Sequence, residues 1–153
     1  MSSQSTRPLA VITGGSRGLG FEVAKALTLQ GFDIALIAKD AQRLESAANL
    51  LREADRSHHG VTTSHISTFA CDLEQPHLVR ELIDSLTQSL PTPTTLVLAH
   101  GVMSAKMSKT LKTDDAEWRR VALARQAVAP DSRAVTAACR GSGGFVAAVS
   151  HTG

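Results

Sequence analysis

The stretch Thr13-Gly-Gly-Ser-Arg-Gly-Leu-Gly20 combines residue types and spacing that could do chemistry. Gly14, Gly18 and Gly20 let a backbone turn tightly and come close to a ligand without a Cβ in the way. Four apolar residues, Leu9 to Ile12, run into this turn and read as a strand buried on both faces. The residues after it, roughly Leu19 to Gln30, read as a helix. Such a helix aims its first N–H groups and the positive end of its dipole at the glycine turn, where an anion is stabilised. Strand, turn and helix N-terminus together form a cradle for a pyrophosphate.

The spacing Thr-Gly-x-x-x-Gly-x-Gly, as it stands in residues 13–20, resembles the short-chain dehydrogenase/reductase family of the classical type. The resemblance implies a Rossmann-like α/β fold and a nicotinamide cofactor held by Thr13, Gly14, Ser16, Arg17, Gly18, Leu19 and Gly20. The end of the second strand sets cofactor choice, because a carboxylate there holds the ribose hydroxyls of NAD and a basic side chain favours the 2′-phosphate of NADP. Here the residues are Ala38-Lys39, with Arg17 as a second cation, so NADP(H) is expected. Asp72, in Cys71-Asp-Leu73, resembles the family's aspartate after the third strand and implies a hydrogen bond to the adenine amino group. An ordinary turn cap is the alternative for that residue.

Further along, the match loosens. Where the family has Asn-Asn-Ala-Gly after the fourth strand, this chain has Leu98-Ala-His-Gly101. Gly101 fits as a cofactor contact, Ala99 replaces an asparagine, and His100 reads as a packed histidine, with donation to the cofactor as the other reading. Glu117-Trp-Arg-Arg-Val121 resembles the opening of the family's fourth helix, but Arg125 stands where an asparagine holds a relay water. Trp118 is expected to pack. Ser150, in Phe145-Val-Ala-Ala-Val-Ser150, resembles the catalytic serine that hydrogen-bonds a substrate carbonyl. The family's proton donor is a tyrosine followed four residues later by a lysine, and the 153 residues contain no tyrosine. Hydride transfer to a ketone leaves an alkoxide, and a positioned acid contributes about 10²–10⁴-fold. His151 is the nearest titratable group, but neighbours on a strand point to opposite faces. No metal site is expected, since His58, His59 and His65 have no carboxylate or thiolate at ligand spacing.

The elements that must position these residues alternate. Asp33 to Ala38 is a second buried strand, Ala41 to about Arg56 a helix capped by Asp40, and Ser57 to Gly60 a solvated loop. The first helix has the stripe Leu19, Val23, Ala26, Leu27 and Gln30, and the second Leu44, Ala47, Ala48 and Leu51. Thr62 to Cys71 is a third strand, and Pro76 opens a third helix with the stripe Leu78, Val79, Leu82, Ile83 and Leu86. Thr95 to Ala99 and Gly144 to Ser150 are the fourth and fifth strands. Alternation of this kind gives a doubly wound parallel sheet of about five strands, expected in the order 3-2-1-4-5, with the ligand crevice at the carboxyl ends of strands one and four.

The whole chain has 153 residues and a formal net charge of +2, which argues neither for nucleic acid nor for an anionic membrane. No apolar run reaches the length of a membrane span, and Met1 to Arg7 lacks a signal-peptide core. Cys71 and Cys139 have no metal spacing and read as reduced thiols of a cytoplasmic protein. Residues 1–7 are expected to be disordered, 8–121 to form the dinucleotide-binding core, and 122–153 to be a divergent or truncated end of the same domain.

That last segment has 17 Ala, Gly, Arg or Pro residues among 32 and no Lys, Glu or Ile. Pro130 interrupts a region where the family has one long helix. GC-rich codons read out of frame give such a composition, so the chain is expected to be a reductase truncated before the Tyr-x-x-x-Lys motif, incomplete in catalysis and in its sheet. The fifth strand would then be an open edge and the chain made alone poorly soluble. Three readings stay open: an NADP(H)-dependent oxidoreductase acting on a small carbonyl or alcohol, a nucleotide-binding module without turnover, and a non-functional fragment. A homo-oligomer is expected only of a full-length form.

Overall fold

A computed structural model describes residues 7–100 and the backbone of residues 145–148. Gly101, Trp118, Arg125, Ser150 and His151, with the segment 101–144 and residues 1–6, lie outside the described residues.

The chain begins with β1 (Leu9–Thr13), α1 (Gly18–Leu29), β2 (Asp33–Ala38) and α2 (Ala41–His59). It continues with β3 (Ile66–Ala70), α3 (Pro76–Ser89), β4 (Thr95–Leu98) and β5 (Phe145–Ala148). The strands form one sheet in the order β3-β2-β1-β4-β5, every pair parallel, as the alternation predicts. β1 lies between β2 and β4, with Thr13 opposite Ile37 on one side and Leu98 on the other. The strand order reverses at β1, which puts the topological switch point at Thr13.

Alternation along each strand divides the core into two layers. Ala10, Ile12, Ile34, Leu36 and Val97 face α1 and α2, where they meet Ala24, Leu44, Ala47, Ala48 and Leu51. Leu9, Val11, Ala35, Ile37 and Leu96 face the other way, toward Val79 and the half-buried Leu78, Leu82, Ile83 and Leu86 of α3. Ile12, Ile34, Leu36, Leu44 and Leu51 are fully buried, and each contributes about 1.5–3 kcal/mol of transfer free energy.

Besides shifts of one residue at element ends, three features depart from expectation. First, α1 does not bury the stripe of Leu19, Ala26 and Gln30, all of which are exposed. Its buried residues are Gly20, Ala24 and Thr28, flanked by the half-buried Phe21, Val23 and Leu27. Small residues at i, i+4 and i+8 let the helix backbone come close to the sheet, and Thr28 satisfies its hydroxyl on the carbonyl of Ala24 at 2.8 Å.

Second, Ser57, His58 and His59 are helical, not a solvated loop. α2 ends at Gly60, whose φ of 78° is the left-handed cap and whose N–H donates to the carbonyl of Arg56. Third, β3 begins at Ile66 rather than Thr62. The N–H groups of Thr63 and Ser64 donate to the Asp55 carboxylate, and that of His65 donates to Asp33 Oδ1, so these donors are turned away from the ladder. Asp40 caps α2 as expected, accepting from the N–H of Arg43 at 3.0 Å.

Candidate functional site

The glycine turn follows β1 at the carboxyl end of the sheet. Gly14 has φ 68°, and its N–H donates to the carbonyl of Ile37 at 2.8 Å, which pins the turn to β2. A Cβ on Gly14 would stand 2.7 Å from the carbonyl oxygen of Ala99 and 2.8 Å from the backbone nitrogen of His100. A Cβ on Gly20 would collide with the carbonyl oxygen of Gly14. The inner side of the turn is therefore closed by backbone, that of Ala99 and His100 at Gly14 and that of the turn itself at Gly20.

Gly18 is different. Its φ is 58°, yet nothing lies within 4 Å of the place a Cβ would take. Its outer side is open. Arg17, the N-cap of α1, has an extended backbone and caps with no side-chain hydrogen bond, and the first turn has no acidic residue. The helix thus offers its leading N–H groups and positive dipole end to an anion arriving from outside. Leu19 is exposed beside the turn, and Ser16 is half-buried within it.

Thr13 is buried, and its Oγ1 is hydrogen-bonded with Nδ1 of His100 at 2.8 Å. This bond ties the end of β4 to the end of β1. Ala99 has no polar side chain for such a tie, so the adjacent histidine carries it, in keeping with the packed reading of His100.

Lys39 follows β2 and Asp72 follows β3, two strands whose last ladder partners are Ala38 and Ala70. The N–H of Cys71 continues that ladder to the carbonyl of Ala38 at 2.9 Å. Lys39 Nζ and Asp72 Oδ2 lie 2.9 Å apart. The Asp72 Oδ1 accepts from the N–H of Glu74 at 3.1 Å, so the residue is also the turn cap that the sequence allowed. The Lys39 ammonium holds the Asp72 carboxyl below its ordinary range, burial opposes the shift, and the Glu74 N–H reinforces it. Burial pushes the neighbouring Cys71 thiol up, and the carboxylates of Asp72 and Glu81 add to the rise.

Two hollows border these residues. One, of about 450 Å³, opens between β3 and α3 and is lined by Lys39, Asp72 and Cys71 among others. The other, of about 170 Å³, lies between the glycine turn and α2, with Ser16, Arg17, Arg43 and Ser46 on its walls. Arg43 is not among the residues that the sequence singles out. Its signal was position: Asp40 caps α2, which puts the third residue after it in the first turn, over the glycine loop. Gly15 is not among them either, although a Cβ there would stand 2.6 Å from Cδ2 of Leu36. The consecutive glycines were the clue. The structure brings Thr13, Gly14, Ser16, Arg17, Gly18, Leu19, Gly20, Lys39 and Asp72 to the carboxyl side of the sheet, and Gly101 and Ser150 lie outside the described residues.

Among the described residues, no helix is long and apolar enough to cross a membrane. No group of three or more His, Cys, Asp or Glu side chains there could hold a metal ion.

D-arabinitol 2-dehydrogenase (ribulose-forming) of Scheffersomyces stipitis is 32% identical over 84 residues, covering 52% of this chain and 30% of that protein. The L-sorbose reductase of Gluconobacter frateurii, solved with NADPH and L-sorbose, superposes with a TM-score of 0.78 at 25% identity, covering 93% of this chain and 51% of that one. A 3-oxoacyl-[acyl-carrier protein] reductase of Brucella melitensis, solved with NAD, has a TM-score of 0.77 at 20% identity over 93% of this chain and 55% of that one. The chain spans about half the length of these solved structures and less of the curated relative. The short chain dehydrogenase family matches residues 8–152. With its parallel sheet in the order 3-2-1-4-5 and the glycine turn at the switch point, the chain belongs to the short chain dehydrogenase family of oxidoreductases.

Proposed function

We propose that this chain is the nucleotide-binding part of an NADP(H)-dependent oxidoreductase that interconverts a small carbonyl compound and its alcohol in the cytoplasm. The observation that carries the reading is the glycine turn, closed by backbone at Gly14 and Gly20 and open at Gly18, in front of a helix N-terminus that its own side chain does not cap. A dinucleotide pyrophosphate fits such a cradle, because the leading N–H groups of the helix have no side-chain cap competing for them. In this reading Thr13, Gly14, Ser16, Arg17, Gly18, Leu19 and Gly20 surround the pyrophosphate and ribose. Lys39 and Arg17 attract the 2′-phosphate, Asp72 meets the adenine, and Gly101 borders the cofactor beyond β4.

The bound cofactor supplies or accepts a hydride. Ser150 orients the carbonyl by a hydrogen bond from its hydroxyl. A second reading is a binding module without turnover, since these 153 residues themselves hold no tyrosine that could protonate the alkoxide.

Calorimetric titration with NADPH tests the binding that both readings share, and a chain that takes up no NADPH overturns both. Steady-state oxidation of NADPH with a panel of ketoses and other ketones then separates them. The names of the arabinitol and sorbose relatives make ketoses the first choice. Turnover with any of them supports the enzyme, and tight binding without turnover supports the module.

A further inference from the structure

The pair Lys39–Asp72 bears on which dinucleotide the cradle prefers. Lys39 has a side chain 72% exposed on a flexible stem, whereas Asp72 is 22% exposed and held on two sides. Its Oδ1 accepts from the Glu74 N–H, and its carbonyl accepts from the Gln75 N–H at 3.0 Å. The Glu74 N–H thereby favours the carboxylate staying in place when an anion arrives. A ribose 2′-phosphate drawn toward Lys39 must either break the 2.9 Å ion pair or settle beside a fixed like charge. A ribose with a free 2′-hydroxyl carries no charge to be repelled and leaves the pair intact.

We propose that Asp72 is a specificity-determining residue: paired with Lys39, its carboxylate attenuates the attraction of that ammonium for a ribose 2′-phosphate and leaves the cleft open to NAD(H) as well as NADP(H). The inference rests on the functional reading above and adds to it a carboxylate acting against the phosphate through its partner.

The test compares adenosine 2′,5′-bisphosphate with 5′-AMP as probes, titrated calorimetrically into the full 153-residue chain at one ionic strength. The two differ by the 2′-phosphate alone, so any contact of Asp72 with adenine cancels in the ratio of their affinities. Asp72→Asn keeps an oxygen that can accept from the Glu74 N–H, so the turn survives while the charge goes. Asp72→Ser also keeps an acceptor and serves if the amide variant does not fold.

The preference for the bisphosphate is expected to rise by about fivefold in Asp72→Asn, the scale of an exposed ion pair. It is expected to fall below wild type in Lys39→Met, and Asp72→Asn is expected to raise it less in the Lys39→Met background than in the wild type. A ratio unchanged in Asp72→Asn overturns the inference, and so does a falling one, which would mark Asp72 as an arm that positions Lys39 for the phosphate. A wild-type chain that binds neither probe overturns the functional reading and this inference with it. One that binds both while the variants leave the ratio unmoved overturns this inference alone.

Discussion

Gly20 and Gly18 stand two residues apart in one motif, yet they are glycine for different physical reasons. At Gly20 the obstacle is steric, since a Cβ meets the Gly14 carbonyl. At Gly18 the space is open and the obstacle is the backbone, whose φ of 58° costs an L-residue about 1–2 kcal/mol. Gly18→Ala is therefore expected to fold with a modest loss in thermal stability. Gly20→Ala should move α1 off the turn, with a larger drop in melting temperature and loss of NADPH binding by calorimetry. Equal effects of the two substitutions would contradict this account. Spacing alone made these glycines legible as a tight turn between strand and helix. It could not say which of them packs inward, because that depends on Ala99 and His100, some 80 residues away in sequence.

At the scale of elements, the end of α2 shows how a buried charge sets boundaries. Asp55 is fully buried and accepts from the N–H of Thr63 at 2.6 Å, the N–H of Ser64 at 2.8 Å and the Thr63 hydroxyl at 3.1 Å. Burial alone would raise its pKa, but these donors and the nearby His59 outweigh it and lower the value below the ordinary 3.8. The group is ionised in the fold at pH values where the unfolded chain is already protonating. Its contribution is thus fully present above the unfolded value and is lost as pH falls through the folded one. Urea melts of the wild type should show stability falling below about pH 4. Asp55→Asn should cost about 2 kcal/mol at neutral pH, because an amide donor is turned toward backbone donors, and the gap to wild type should narrow in acid. A gap that stays constant with pH would argue that the carboxylate charge contributes nothing. The apolar stripe of α2 was readable from its period, but its last turn was not. His59 accepts a helical place because its Nε2 reaches the carbonyl of Leu29 at 3.2 Å, a partner on another helix.

At the scale of the molecule, the described residues place two helices on one face of the sheet and one on the other, with the switch point at Thr13 where several of these elements meet. A nucleotide bound there should stabilise the native state by mass action. At 100 times its dissociation constant NADPH is expected to add about 2.7 kcal/mol, read as a rise in melting temperature. Lys39→Met should reduce the rise with NADPH and leave that with NADH in place at matched concentrations. No rise with either nucleotide would remove the cradle from consideration as a dinucleotide site.

The residues alone determined the class of fold, the strand order and the place of the glycine turn, because buried runs, glycine spacing and caps are local signals that repeat wherever a parallel sheet meets its helices. Leu44, Ala47, Ala48 and Leu51 were legible as a core face for the same reason. Only the tertiary structure decided the matters that depend on residues distant in sequence. It put Gly20, Ala24 and Thr28 against the sheet in place of the larger Leu19, because close approach of a helix selects for size rather than hydrophobicity. It took the backbone donors of Thr63 and Ser64 for Asp55, which delayed β3 to Ile66. And it set Lys39 against Asp72 across the ends of two neighbouring strands, a pairing of charges 33 positions apart that no local period records.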